Sequence, residues 1–175
     1  VSGLSKKDRH ELRRKIRRLD AAGDYRILSF QNAEDLPGAM DEFLMLMRWS
    51  RTDKDQFLTP EREQFFRNMV QELAEARQIQ LYFLEINGSR VAGALCFDYQ
   101  GRRFLYNSGY DRDYASLSVG LLLKAFCLRD AIDQGMEYFD FLRGTEPYKY
   151  NLGAADVSLY QMTLTRSFLS RKGGS

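Results

Sequence analysis

The chain has 175 residues, 44% hydrophobic, 29% charged and 13% aromatic, with a formal net charge of +2. This length and balance fit one soluble globular domain with enough chain for a real core. No apolar run approaches the roughly twenty residues that span a bilayer, and the first residues lack the apolar stretch of a secretory signal. Two cysteines, Cys96 and Cys127, do not make a disulfide scaffold, so buried thiols in a reducing, cytoplasmic setting are expected. A Cys–His nucleophile is not expected either, because His10 is the sole histidine and lies far off in sequence.

Charge is uneven. Residues 6–18 hold eight basic side chains against Asp8 and Glu11, leaving the rest of the chain net acidic. Ser5 is positioned as an N-cap, and Leu12, Ile16 and Leu19 recur at helical spacing up to Gly23. Residues 5–22 therefore read as an amphipathic helix with a basic back. That back suits phosphates of a nucleic acid, a nucleotide-linked substrate or a lipid surface. It equally suits a solvated face whose long stems cover apolar surface, and no aromatics are interleaved for base stacking.

A strand is predicted at Tyr25–Phe30. A helix follows from Asp35 to Ser50, with Met40, Phe43, Leu44 and Met47 on its apolar face; Trp49 and Arg51 near its end are candidates for a cleft wall or for structure. Residues 53–58 read as a polar connection. Thr59 and Pro60 open a second helix to about Arg77. The period then switches to that of strands. Residues 80–86, 90–98 and 103–109 form an antiparallel meander joined by Asn87-Gly88 and Gln100-Gly101. Next come a polar turn at 111–116, an apolar helix from Ser118 to about Gln134 stopped by Gly135, and a strand at Tyr138–Leu142. After a loop, residues 157–165 alternate as a last strand, and 169–175 read as a flexible tail. One domain, residues 5–168, accounts for the whole pattern.

The chain is organised around residues 104–149, a strand, turn, helix and strand that make a βαβ unit with parallel strands. A helix start bearing small residues seats anions on its free N–H groups and positive dipole end. Ser118 and Gly120 also suit an N-cap and a close packing contact. The stretch is neither a P-loop nor a dinucleotide fingerprint.

This order of elements resembles the GNAT acyltransferase fold, an α/β class with a mixed sheet, here preceded by a basic helix. The likeness is nearest to the branch of CelD-type (cellulose-biosynthesis) acetyltransferases, with Fem-type aminoacyltransferases more distant. It rests on the basic helix Lys6–Leu19, on Leu105–Tyr110, on Ser118–Leu122 and, most specifically, on Tyr138–Lys149. In that branch such a domain is often the C-terminal half of a longer protein.

The resemblance implies acetyl-CoA or another acyl-CoA as co-substrate, and no metal. Its pantetheine arm would slot between the third meander strand and the strand after the helix, pairing with Asn107, Ser108 and Gly109. Its pyrophosphate would lie on the amides of Leu117, Ser118, Val119, Gly120 and Leu121. Only Gly120 matches the family's glycine-rich loop, with Leu122 where a small residue is usual. Asp140 is the implied base or amine anchor, or else a strand carboxylate satisfied by local amides or Arg143; Tyr148 or Tyr110 is the implied proton donor to the leaving thiolate, and Lys149 a charge for substrate or phosphate or the partner of Glu146 in a surface pair. Tyr110, Arg143 and Glu146 would contact the acceptor, a small molecule or polysaccharide precursor. Nucleic acid is expected only in the Fem-like alternative, which uses aminoacyl-tRNA. A degenerate domain that binds an anionic partner through the basic helix is the rival of a different class.

Overall fold

The computed structural model describes residues 3–164. Six helices and five strands run in the order α1 (Lys6–Asp20), β1 (Tyr25–Phe30), α2 (Leu36–Ser50), α3 (Thr52–Phe57), α4 (Pro60–Glu75), β2 (Ile79–Ile86), β3 (Ser89–Tyr99), β4 (Arg102–Tyr110), a 3₁₀ turn (Arg112–Leu117), α5 (Val119–Asp133), β5 (Tyr138–Asp140) and α6 (Pro147–Asn151). The strands make one sheet in the order β1-β2-β3-β4-β5. The first three pairings are antiparallel and the last, β4 with β5, is parallel.

Local chemistry explains most of the boundaries. The Ser5 hydroxyl accepts from the Asp8 amide at 3.1 Å and starts α1. Thr59 caps α4 in the same way, with Pro60 at its first position. Asn87-Gly88 and Gln100-Gly101 both take the left-handed backbone at each position, the type I′ geometry that matches strand twist. Gly135, at φ +76°, ends α5.

The sheet is covered on both faces. Along β2 every residue is buried. Ile79, Leu81 and Phe83 meet Met40, Phe43 and Met47 of α2 and Phe66 and Val70 of α4. Tyr82, Leu84 and Ile86 belong to the opposite cluster with Leu19 of α1 and Val119, Leu122, Leu123 and Cys127 of α5. Each such side chain contributes about 1.5–3 kcal/mol by leaving water. The methionine stripe of α2 is core, and Cys96 and Cys127 are buried free thiols.

One glycine sets how close α2 comes to the sheet. A Cβ on Gly109 would lie 2.4 Å from the Leu46 carbonyl carbon and the Met47 nitrogen, so helix backbone rests directly on β4. Gly109→Ala forces α2 outward and is expected to cost about 2–3 kcal/mol in urea unfolding. Gly38→Ala, whose added Cβ would meet nothing within 4 Å beyond its own helix turn, should be neutral or stabilising in the same assay.

Three expectations are corrected. The polar connection at 53–58 contains α3, a single helical turn and a half that period-based reading of so short a segment misses. The strand expected to reach Leu142 stops at Asp140, because Leu142 takes φ +57° and turns the chain. The last strand does not form over 157–164; Val157, Leu159, Tyr160, Met162 and Leu164 are 78–94% exposed, so among the described residues the alternation has no partner to bury against. Thr165 and the tail predicted at 169–175 lie outside the described residues.

Candidate active site

β4 and β5 pair only at Arg102 with Tyr138, Arg103 with Phe139 and Phe104 with Asp140. β4 runs on to Tyr110 while β5 has ended, so the two strands part beyond Phe104. The register between β3 and β4 also slips by one residue at Leu95/Cys96, leaving Tyr106 as the unpaired residue of a bulge just before Asn107. Among the described residues β5 leaves the β4 edge from Leu105 to Tyr110 unpaired, and this opened edge is the candidate slot.

The closed end of the slot is held by a buried cation. Arg103, fully buried on β4, donates to both Asp98 oxygens at 2.7 Å, to Asp130 of α5 at 2.5 Å, to the Tyr82 hydroxyl at 2.6 Å and to Gln134 at 3.0 Å. Burial opposes its charge, but the hydrogen bonds it donates to Asp98 and Asp130 outweigh that and hold its pKa above the ordinary arginine value. Burial and the Asp130 hydrogen bond push the Tyr82 hydroxyl up as well. Arg103 thus ties α5 to β4 where the strands are still paired.

At the start of α5, Ser118 takes the left-handed backbone and its hydroxyl does not cap the helix. Instead it accepts from Lys15 Nζ of α1 at 3.0 Å, while Arg18 donates to the Ser116 carbonyl at 2.9 Å. Two cations of the basic helix therefore flank the helix start. Of the five amides expected there, Ser118 N–H is spent on the Ala115 carbonyl and Leu121 N–H on the Ser118 carbonyl, and Leu117 belongs to the 3₁₀ turn. Val119 and Gly120 occupy the first two helical positions, whose N–H groups have no partner within a helix. Gly120 also packs: a Cβ there would meet the Tyr110 ring at 3.0 Å.

Groups from α3, α5 and α6 gather beside this edge. The Asn107 side-chain oxygen accepts from the Ser108 amide at 2.8 Å and from Lys54 Nζ of α3 at 2.9 Å; Lys54 also donates to the Ser108 carbonyl. Lys124 of α5, nearly buried, donates to the Gly120 carbonyl at 3.0 Å and sits 5.0 Å from the centre of the Tyr148 ring. Burial lowers both lysines to about 8, for Lys54 with help from the Lys124 and Arg51 charges. Tyr148 packs edge-on to Phe141, and burial followed by the Glu146 charge raises its pKa to about 12. Its hydroxyl hydrogen-bonds to none of the described residues. Glu146 stays ionised, its pKa lowered first by the Lys149 hydrogen bond.

Other expected site residues are occupied locally. The Asp140 carboxylate accepts from the Leu142 amide at 2.7 Å and so shapes the turn after β5. Lys149 is buried and donates to the carbonyls of Leu142, Arg143 and Gly144 at 3.3, 2.6 and 3.2 Å, with Glu146 at 2.9 Å. It gathers the loop that carries Glu146 and Tyr148. Arg143 is exposed. Gly109 turns its Cα to α2. The sequence reading missed Lys54 and Lys124. A lone lysine in a polar turn and another in an apolar helix were the available signals, and the second is the sharper one, since an unpaired charge on a buried face needs a reason. Among the described residues no group of three or more His, Cys, Asp or Glu side chains could hold a metal ion.

A family model described as Acetyltransferase (GNAT) domain matches residues 6–150. The chain belongs to the GNAT acetyltransferase family. No curated protein matches it. Among solved structures it is similar to an aminoglycoside acetyltransferase from an uncultured soil metagenomic sample, at 10% identity and TM-score 0.58 over 81% of this chain and 99% of that one. It is also similar to the aminoglycoside N-acetyltransferase AAC(6')-Iy in complex with CoA, at 14% identity and TM-score 0.54 over 82% and 96% of the two chains. A ribosomal-protein-alanine N-acetyltransferase from Brucella melitensis biovar Abortus 2308 follows at 14% and 0.52, over 81% and 100%. At these identities the likeness is one of fold. By its family model this GNAT chain is an acetyltransferase, and its described residues form a five-stranded mixed sheet. No helix among the described residues is long and apolar enough to cross a membrane.

Proposed function

We propose that this GNAT domain transfers an acetyl or other acyl group from an acyl-CoA to an amine of a sugar, peptide or polysaccharide precursor. The observation that carries this reading is the parting of β4 and β5 beyond Phe104, with polar groups from α3, α5 and α6 converging on the opened edge. Main chain along Leu105–Tyr110, left unpaired by β5, can pair with the amides of a pantetheine arm as an added strand would. The Val119 and Gly120 amides, together with Lys15 and Arg18, would hold the pyrophosphate. Cations from α1 would then stand in for the missing loop glycines and give the basic helix a role in the site.

At the chemical centre, β4 main chain beside the bulge would polarise the thioester carbonyl. Tyr148, kept protonated by its raised pKa, would donate to the departing sulfur. Glu146 would draw the cationic acceptor to the mouth, which favours an amine over a hydroxyl. Asp140 and Lys149 act as positioning residues: the first fixes the turn after β5, the second the loop that presents Tyr148. Gly109 serves indirectly, by letting α2 bring α3 over the slot.

Isothermal titration with acetyl-CoA tests the reading, followed by thiol release with a panel of amino sugars, polyamines and peptides. Lys15→Ala should weaken acetyl-CoA binding about tenfold, or about 1.4 kcal/mol. Absence of heat and of a thermal shift, with steeply salt-dependent RNA or vesicle binding through α1, would support the anionic-partner module instead. Response to aminoacyl-tRNA alone would support the Fem-like alternative.

A further inference from the structure

Lys54 is the only residue of α3 that is not exposed. A short helix on a protein surface is ordinarily anchored by an apolar side chain, yet Phe57 is 41% exposed and an amine is the group tucked inward. Its nitrogen is within hydrogen-bond reach of Asn107 Oδ1 and of the Ser108 carbonyl, on the stretch of β4 that follows the bulge. Resting on the acyl-CoA reading given above, this places a primary amine where the acceptor amine must stand to reach a thioester carbonyl. We propose that Lys54 is itself an acyl acceptor, a self-acylation site built into the slot.

The step balances without a further reactant. The neutral Lys54 Nζ lone pair attacks the thioester carbonyl carbon, a C–N bond forms, and the C–S bond breaks with its electron pair leaving on sulfur. The proton lost by nitrogen ends on the thiolate, whose developing charge takes the Tyr148 O–H hydrogen bond. The products are an Nε-acyl-lysine amide and free CoA thiol. An amide does not pass its acyl group on to a second amine, so the product is a modification and not an intermediate. It removes one positive charge from the slot mouth and cuts the donors held by Asn107 and Ser108.

The surroundings favour the reactive form. Facing Lys54 are Lys124 from α5, Arg51 and Asp53 from its own segment and Glu146 from the loop before α6; burial and the two cations outweigh the two acids and bring it to about 8. At pH 8 about half of Lys54 is then neutral, against under about 1% for a lysine of ordinary pKa. Lys124 is the rival amine, but it donates to Gly120 within its own helix and lies under the Tyr148 ring.

The test is incubation of the whole chain with acetyl-CoA, read by intact mass and peptide mapping across pH 6 to 10, beside isothermal titration with acetyl-CoA. The expected result is one hydroxylamine-resistant acetyl group on Lys54, a rate that climbs through pH 8 and levels above it, and loss of the adduct in Lys54→Arg, which keeps the charge but cannot be acylated this way. Binding of acetyl-CoA, or thiol release with an added amine, while Lys54 stays unmodified overturns the self-acylation and leaves the transferase reading standing. Adduct on Lys124, or spread over exposed lysines such as Lys6 and Lys7 at equal rates, overturns it too. No heat and no adduct overturns both.

Discussion

Tyr148→Phe is expected to lower kcat for acyl transfer about a hundredfold, the usual share of one general acid, while leaving the affinity for acetyl-CoA unchanged. The substitution removes one oxygen and keeps the ring, so the edge-on packing on Phe141 and the contact with Lys124 survive. What it removes is an O–H that the protein keeps protonated: burial and the Glu146 charge bring it to about 12, so it remains a donor across the working pH range. Kinetics with the best acceptor of the amine panel, and titration of acetyl-CoA, separate the two effects. Tyr150→Phe is the control, since that hydroxyl meets Asp156 at 2.8 Å on the outer side of the same short helix. Equal kcat in wild type and Tyr148→Phe would remove Tyr148 from the chemistry.

Arg103→Ala should be among the most destabilising single changes in the chain, about 3 kcal/mol in urea unfolding. A fully buried guanidinium is lost, its cavity stays, and Asp98, Asp130 and Tyr82 lose their shared partner. Asp130 and Asp98 keep some contact with water, which sets the figure at the low end for a broken buried pair. Arg103→Lys should recover little, because an ammonium cannot serve four partners with the geometry of a planar fork. Tyr82→Phe, which removes one of those partners only, should cost about 1 kcal/mol. Because Arg103 lies where β4 and β5 are still paired, its loss should also weaken acetyl-CoA binding in whatever fraction stays folded. A drop in urea midpoint no larger than that of Tyr82→Phe would show that the cluster is not a clamp.

The local signals were legible because each is decided within a few residues. Asn87-Gly88 states its turn through backbone conformations that few other residues accept. Leu12, Ile16 and Leu19 state the inward face of α1, and Thr59-Pro60 the start of α4. Together with the βαβ unit these set the class of fold. The last strand was misread for the complementary reason: alternation in 157–164 is a local property, but a strand exists only if another strand accepts it. Lys54 escaped notice because nothing beside it in sequence says that Asn107, far along the chain, will take its ammonium.

The sequence by itself determined most of the elements, their order and the class of fold, since helical and strand periods, turn residues and caps act over distances of one or two turns. Only the tertiary structure decided where β4 leaves β5, which amides at the start of α5 stay free, and which lysines lose water. Those outcomes depend on burial and on partners brought together from distant segments: α1 onto Ser118, α3 onto Asn107, α5 onto Arg103. Desolvation is a property of the packed molecule, and no side chain carries it alone.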